Sequence, residues 1–223
     1  MADDDKFSVD TEQLKNETKE TVNQVKSSIK NVNLKQDAEE TKGFVKEMFS
    51  NPFEAVRRVA NEEENVFKKV IFLMIIFIAA SFVSQIVSLI KYGRLASIGS
   101  NIMNVIVSVI NPILFILVPS VVILIFNKQN KKSLITIIST VVVAGIPTIC
   151  NEVIYIIEKI IPGISIITSP ITTLLSAIAL ILTYFGIKDL LGIEEHKDSI
   201  KKYAIIKLIS AFVLVILGRI GIY

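Results

Sequence analysis

The sequence predicts an all-α fold: a polytopic membrane helical bundle with five transmembrane helices, preceded by a polar N-terminal tail that is partly helical or disordered. Three observations lead there. The chain of 223 residues is 52% hydrophobic, and its apolar residues fall in charge-bracketed runs near bilayer length. The first 69 residues hold 27 of the 45 charged side chains, so a polar segment is fused to a charge-poor body. Lysine and arginine next to the runs are distributed unevenly between the two sides that five crossings define.

Residues 1–50 form the predicted cytoplasmic tail, rich in Lys, Glu, Asp, Asn and Thr. Its start, Met1-Ala2-Asp3-Asp4-Asp5, is acidic and lacks an apolar core, so no cleavable signal peptide is expected. Val22, Val25, Ile29 and Val32 give a thin helical stripe, too short for a firm coiled coil. A disordered or fluctuating helical tail, a partner-binding helix and a lipid-touching helix all fit this composition. Phe44, Val45, Met48 and Phe49 form an apolar cluster just before Asn51-Pro52-Phe53-Glu54. In that motif Asn51 suits an N-cap, Pro52 the first helical position and Glu54 the reciprocal capping position. The predicted helix, 52–60, has an apolar side with Phe53 and Val56, and Arg57 and Arg58 beside it. Such a helix anchors in the membrane surface or packs on the body's loops.

The first span is predicted at 70–90, 21 uncharged residues of which 14 are Val, Ile, Leu or Phe. At the centre of a bilayer those contribute roughly −4 to −8 kcal/mol to insertion, an upper bound. The second is placed at 102–126, the third at 133–151, the fourth at 164–187 and the fifth at 203–222. In the last, Lys207 and Arg219 lie four or five residues from the ends, where their ammonium and guanidinium can snorkel to an interface. Eleven Lys and Arg flank the spans on the tail side and four on the other. The N-terminus is therefore expected in the cytoplasm and the C-terminus outside. All five tyrosines fall at or near span ends, as an aromatic belt requires.

Catalytic chemistry finds few residues to use. Glu152 is the best acidic candidate inside the body, and it reads more simply as the residue ending the third span. Cys150 and His196 are each alone, which excludes an intrachain disulfide and a His-rich metal site. No phosphate loop, HExxH pair or GxSxG elbow occurs, and no cofactor is implied. A net charge of +3 does not indicate nucleic acid. The spans instead carry uncharged polar stripes, chiefly Asn101, Asn104, Ser108 and Asn111 on the second, with others on the first and fourth. These groups are helix-packing glue or, alternatively, a polar conduction path. Pro112, Pro119, Pro147 and Pro170 lie in spans and can kink them, while Pro162-Gly163 marks a turn.

This layout resembles the Yip1-domain family. The likeness rests on Asn51-Pro52-Phe53 leading through Arg57-Arg58 into the first span, on the proline-bearing later spans, and on clustered spans behind a hydrophilic tail; it covers about residues 50–223. It implies a non-enzymatic membrane protein. Eukaryotic relatives act in vesicle traffic with small GTPases, a partner not carried over, because the Ile-, Lys- and Asn-heavy usage (40 Ile) suits a low-GC bacterial gene. The expectation is thus a Yip1-like protein of the bacterial plasma membrane, contacting the lipid bilayer and, through its tail, a protein partner. It organises membrane or scaffolds partners by helix packing and the tail; a small transporter or channel subunit with a polar path along the second span is the alternative.

Overall fold

Burying a helix's polar backbone within itself is the only way an open chain can cross hydrocarbon, and every regular element among the described residues is indeed helical. The computed structural model describes residues 11–30, 33–62, 66–92, 98–127, 130 and 132–219. Nine helices lie within them: α1 (Thr11–Lys30), α2 (Leu34–Ser50), α3 (Pro52–Ala60), α4 (Phe67–Tyr92), α5 (Ile98–Phe126), α6 (Leu134–Ala144), α7 (Ile146–Ile160), α8 (Ser165–Leu190) and α9 (His196–Arg219).

Three of these helices, α4, α5 and α8, are long and apolar enough to cross a bilayer. A fourth candidate is α6 with α7, two pieces bent by 47° at Gly145. The third span therefore departs from a single helix ending at Asn151: it breaks at its centre and continues to Ile160, so Glu152 lies inside α7 rather than at its end. The cause of the break is local. Pro147 sits in the first turn of α7 and has no N–H to give the preceding turn. Gly145 N–H closes α6 on the carbonyls of Val141 and Val142, both at 3.0 Å. A Cβ at Gly145 would lie 3.1 Å from Val141 O, so the chain turns where it has no side chain. The prolines inside α5, Pro112 and Pro119, leave it a single element.

The ends of the helices are cross-tied, which fixes their direction. At the end carrying α3, Thr136 near the start of α6 donates to Glu62 (2.8 Å), and Tyr184 of α8 bonds Ser199 of α9 at 2.7 Å. At the opposite end Lys91 of α4 donates to the Lys159 carbonyl of α7, and Thr168 of α8 to Glu158. The fifth predicted span, α9, starts at the α3 end but is not among the helices long and apolar enough to cross. It carries Lys201, Lys202, Lys207 and Arg219 and is less apolar than α4 to α8, so three or four spans are shown among the described residues and not five.

One core cluster joins α2 to α8 through Met48, Val56, Val70, Ile116, Val143, Ile146 and Leu182, all buried. Val122, Ile123, Ile187, Leu190 and Ile206 form a second cluster that brings α9 onto α5 and α8. Much apolar surface stays outside: Ile166, Ile167, Leu174, Leu208 and Phe212 are each more than 60% exposed, as side chains solvated by lipid would be.

Candidate functional site

Two features of this architecture could support function: the helices docked on one end, and a cavity in the middle of the bundle.

The docked end begins with the Asn51 turn. Asn51 N–H donates to the Glu47 carbonyl (2.9 Å) and ends α2; its carbonyl takes the Ala55 N–H (3.0 Å) and starts α3. Pro52 occupies the first turn as expected, but the Asn51 side chain makes no capping bond, and Glu54 accepts from Arg57 at 3.1 Å instead of reaching back. α3 buries Ala55, Val56, Val59 and Ala60 against the body. Of the four residues read as a surface anchor, Val56 faces wholly inward. Arg58 pairs with Glu47, Arg57 is exposed, and Phe53 stacks edge-on with Phe185 of α8, ring centres 5.0 Å apart. The described packing of α3 is thus packing on the body, and Phe53 and Arg57 are left to meet its surroundings.

α2 is held beside α3 by a partly apolar, partly ionic contact with α4. Phe44 and Met48 are buried in the core. Lys69 Nζ stands 5.0 Å from the centre of the Phe44 ring, and Lys68 Nζ is 2.8 Å from Asp37 Oδ1. The other Asp37 oxygen takes the Asn33 N–H at 2.8 Å, closing the first turn of α2. The hydrogen bond from Lys68 holds the Asp37 carboxyl below the usual carboxylate range, opposing the upward pull of desolvation. In α1, Thr21 is buried and Val22 is 43% exposed, so that part of the predicted valine stripe does not face inward; Val32 lies outside the described residues.

The cavity, about 340 Å³, is lined by α4, α5, α6, α7, α8 and α9, with Gly145 at the bend forming part of its wall. Polar side chains on the lining are Thr148, Ser176, Thr183 and Lys207. Two of the hydroxyls are already committed: Ser176 donates to Thr172 O (2.8 Å) and Thr183 to Ala179 O (2.6 Å). Lys207 is half-buried, its Nζ 5.8 Å from the Tyr203 ring centre, and has no carboxylate partner among the described residues. The sequence favours a snorkelling anchor over a substrate ligand for Lys207. The available signal was that it is the one cation between Lys202 and Arg219.

The stripe on α5 does not line this cavity. Asn104 is exposed, Asn101 and Asn111 are half-buried, and Ser108 donates to its own helix at Val105 O (2.7 Å). Among the described residues, Asn151 and Lys159 bond between helices. Asn151 of α7 is buried and donates to Thr172 O (3.2 Å) and Ser176 Oγ (3.0 Å) of α8. Lys159 of α7 reaches Ser84 Oγ of α4 at 2.6 Å, which a helix ending at Asn151 would not have permitted. Among the described residues no group of three His, Cys, Asp or Glu side chains is placed to hold a metal.

With this geometry in hand, the sequence matches the family model of the Yip1 domain over residues 46–219, from the second half of α2 to the end of α9. Neither curated proteins nor solved structures give a match.

Proposed function

The chain belongs to the Yip1-domain family, and from that premise we propose that it is a five-span, non-enzymatic protein of the bacterial plasma membrane that organises membrane or scaffolds partners through its cytoplasmic tail. The family is one of membrane-trafficking proteins, not known as enzymes. In this reading α4, α5, α6–α7, α8 and α9 each cross once. α9 does so with Lys207 and Arg219 snorkelling from a stretch that is otherwise apolar. The α3 end is cytoplasmic because the lysine and arginine excess lies there, and the C-terminal end of α9 faces outside.

The observation that carries the scaffolding role is the docking of α2 and α3 on the body through Phe44, Met48, Val56 and the Lys68–Asp37 pair. It gives the polar tail a fixed platform, with α1 leading onto it. Partners should then depend on α1. Crosslinking followed by affinity capture from cells expressing the full chain, and a form lacking residues 1–30, tests this: α1-dependent partners are expected, and an identical set from both forms overturns the role. Deleting only 1–30 leaves α2 and the core in place. A conducting path along α5 has less support, since Asn104 is exposed and the stripe residues do not line the cavity.

A further inference from the structure

We propose that the cavity binds a small monocarboxylate with a hydrocarbon body, its carboxylate paired with Lys207 in the middle of the bundle. This goes beyond the scaffolding role and rests only on the bundle lying in a bilayer. Four observations carry it.

The first is depth. α8 and α9 run antiparallel, tied by Tyr184 to Ser199 (2.7 Å) and by the Tyr203 hydroxyl to the Leu180 carbonyl (3.4 Å). Lys207 stands one turn beyond Tyr203 and so comes level with Ser176 to Leu180. Ser176 lies about 16 Å from Ser165 and about 21 Å from Leu190 along α8, near the middle of that span. An ionisable group at such depth needs a partner. The second is charge. Lys207 lines the cavity, leans toward the Tyr203 ring (5.8 Å) and has no carboxylate partner among the described residues. The lining also includes Gly145 and Thr148 at the start of α7, and a helix start favours negative charge. Both features select an anion. One ammonium balances one negative charge, and hydrocarbon accepts a pair with no net charge far better than a lone ion. A phosphate monoester, with nearly two charges at pH 7, would leave one of them unpaired.

The third is size and polarity. The cavity of about 340 Å³ is walled chiefly by apolar side chains, Phe77, Ile116 and Val142 among them. At about 30 Å³ for a group of water's size it takes roughly eleven non-hydrogen atoms. Ser176 and Thr183 already donate to their own helix, so few polar groups remain to hold a sugar or a nucleotide. An acid of octanoate's size fits. The fourth is access. Phe115, Thr148 and Leu180 line the cavity and are exposed, which opens it on the flank of the bundle, where an amphiphile dissolved in the bilayer can enter.

The test places the full chain in phosphatidylcholine nanodiscs and measures equilibrium binding of radiolabelled octanoate above empty discs. Unlabelled octanoate, octanol, octylamine, octyl phosphate and acetate serve as competitors. Wild type should bind octanoate, and octanol should compete at least about tenfold more weakly, a difference that one charge pair shielded from water supplies. Octyl phosphate should also be weaker than octanoate. Octylamine, of the wrong charge, and acetate, without the hydrocarbon body, should not compete. Lys207→Gln should bring octanoate and octanol within about twofold of each other, and Lys207→Arg should keep the preference. Ala179→Phe, which fills the cavity, should lower binding of both. No wild-type binding above empty discs, octanol or octyl phosphate competing as well as octanoate, or an undiminished preference in Lys207→Gln overturns the proposal. The competitor series uses wild type alone, so it decides the matter when a variant fails to fold. No partner is present in this assay, so its failure leaves the tail's role standing, and loss of that role leaves this site standing.

Discussion

A Cβ built on Gly186 of α8 would fall 3.1 Å from Cγ1 of Val56 in α3 and 2.9 Å from Cγ2 of Thr140 in α6. The platform helix therefore rests where α8 has no side chain, and both neighbours are β-branched and stiff. Gly186→Ala gains helix propensity of about 1 kcal/mol but brings its Cβ closer to Thr140 than side chains pack, and should destabilise by about 1 kcal/mol net. Gly186→Leu crowds the contact further. It should destabilise by about 1–3 kcal/mol and loosen α3, read as a lowered unfolding midpoint in detergent and faster proteolysis between α2 and α4. An unchanged midpoint would mean that α3 does not lie against α8.

The tie between α2 and the body should respond to acid. The Asp37 carboxyl is held below its ordinary value by Lys68. Its contribution is thus complete above the ordinary carboxylate range (~4) and disappears as pH falls through the depressed folded-state value. Protection of α2 from an acid-active protease should decline over that interval. Asp37→Asn should be less protected at neutral pH and insensitive to the same change; a pH response in that variant would place its origin elsewhere.

The turn between α8 and α9 depends on Gly192, whose φ of 57° lies in the left-handed region. Its N–H bonds Asp189 O at 3.1 Å, and Asn130 lies against it while donating to Leu190 O (3.2 Å). Gly192→Ala should cost about 1–2 kcal/mol from backbone conformation alone, since the flexible Asn130 amide can yield. Gly192→Asn, which tolerates that conformation better, should cost less. Comparing the two midpoints checks the order.

Asn151 ties α7 to α8 through two bonds from one amide. Asn151→Leu should cost about 0.6–1.7 kcal/mol, the range for hydrogen bonds between membrane helices. A double-mutant cycle with Ser176→Ala should show coupling; independent effects would remove the Ser176 bond from the account.

How far these features were legible in the sequence varies with their cause. Hydrophobic length located α4, α5 and α8 to within a few residues of Val70–Ile90, Ile102–Phe126 and Ile164–Ile187, because lipid rewards any uninterrupted apolar run whatever its neighbours. The Pro52 start of α3 was legible because proline fixes φ locally. The length of α7 was not. Glu152 looked like an interfacial stop, yet α7 runs on past it and Lys159 finds its partner on α4, at Ser84, a contact 75 residues away in sequence. The break at Gly145 combines a glycine and a proline that were visible, but only the packing shows that α6 ends there. The cavity was invisible for the same reason: its walls come from six helices, and Lys207 acquires its setting only when α9 packs on α5 and α8. On α5 the regular spacing of Asn101, Asn104, Ser108 and Asn111 could not say which direction the stripe faces.

The central claim is that this chain crosses the membrane five times. Single cysteines at Lys15, Glu195, Ser165 and Arg219, introduced into Cys150→Ser, test it by labelling intact cells with an impermeant maleimide. Five crossings with a cytoplasmic α3 end predict that Ser165→Cys and Arg219→Cys label from outside, while Lys15→Cys and Glu195→Cys label only after permeabilisation. Lys15→Cys and Arg219→Cys labelling from the same side would require an even number of crossings and contradict the account.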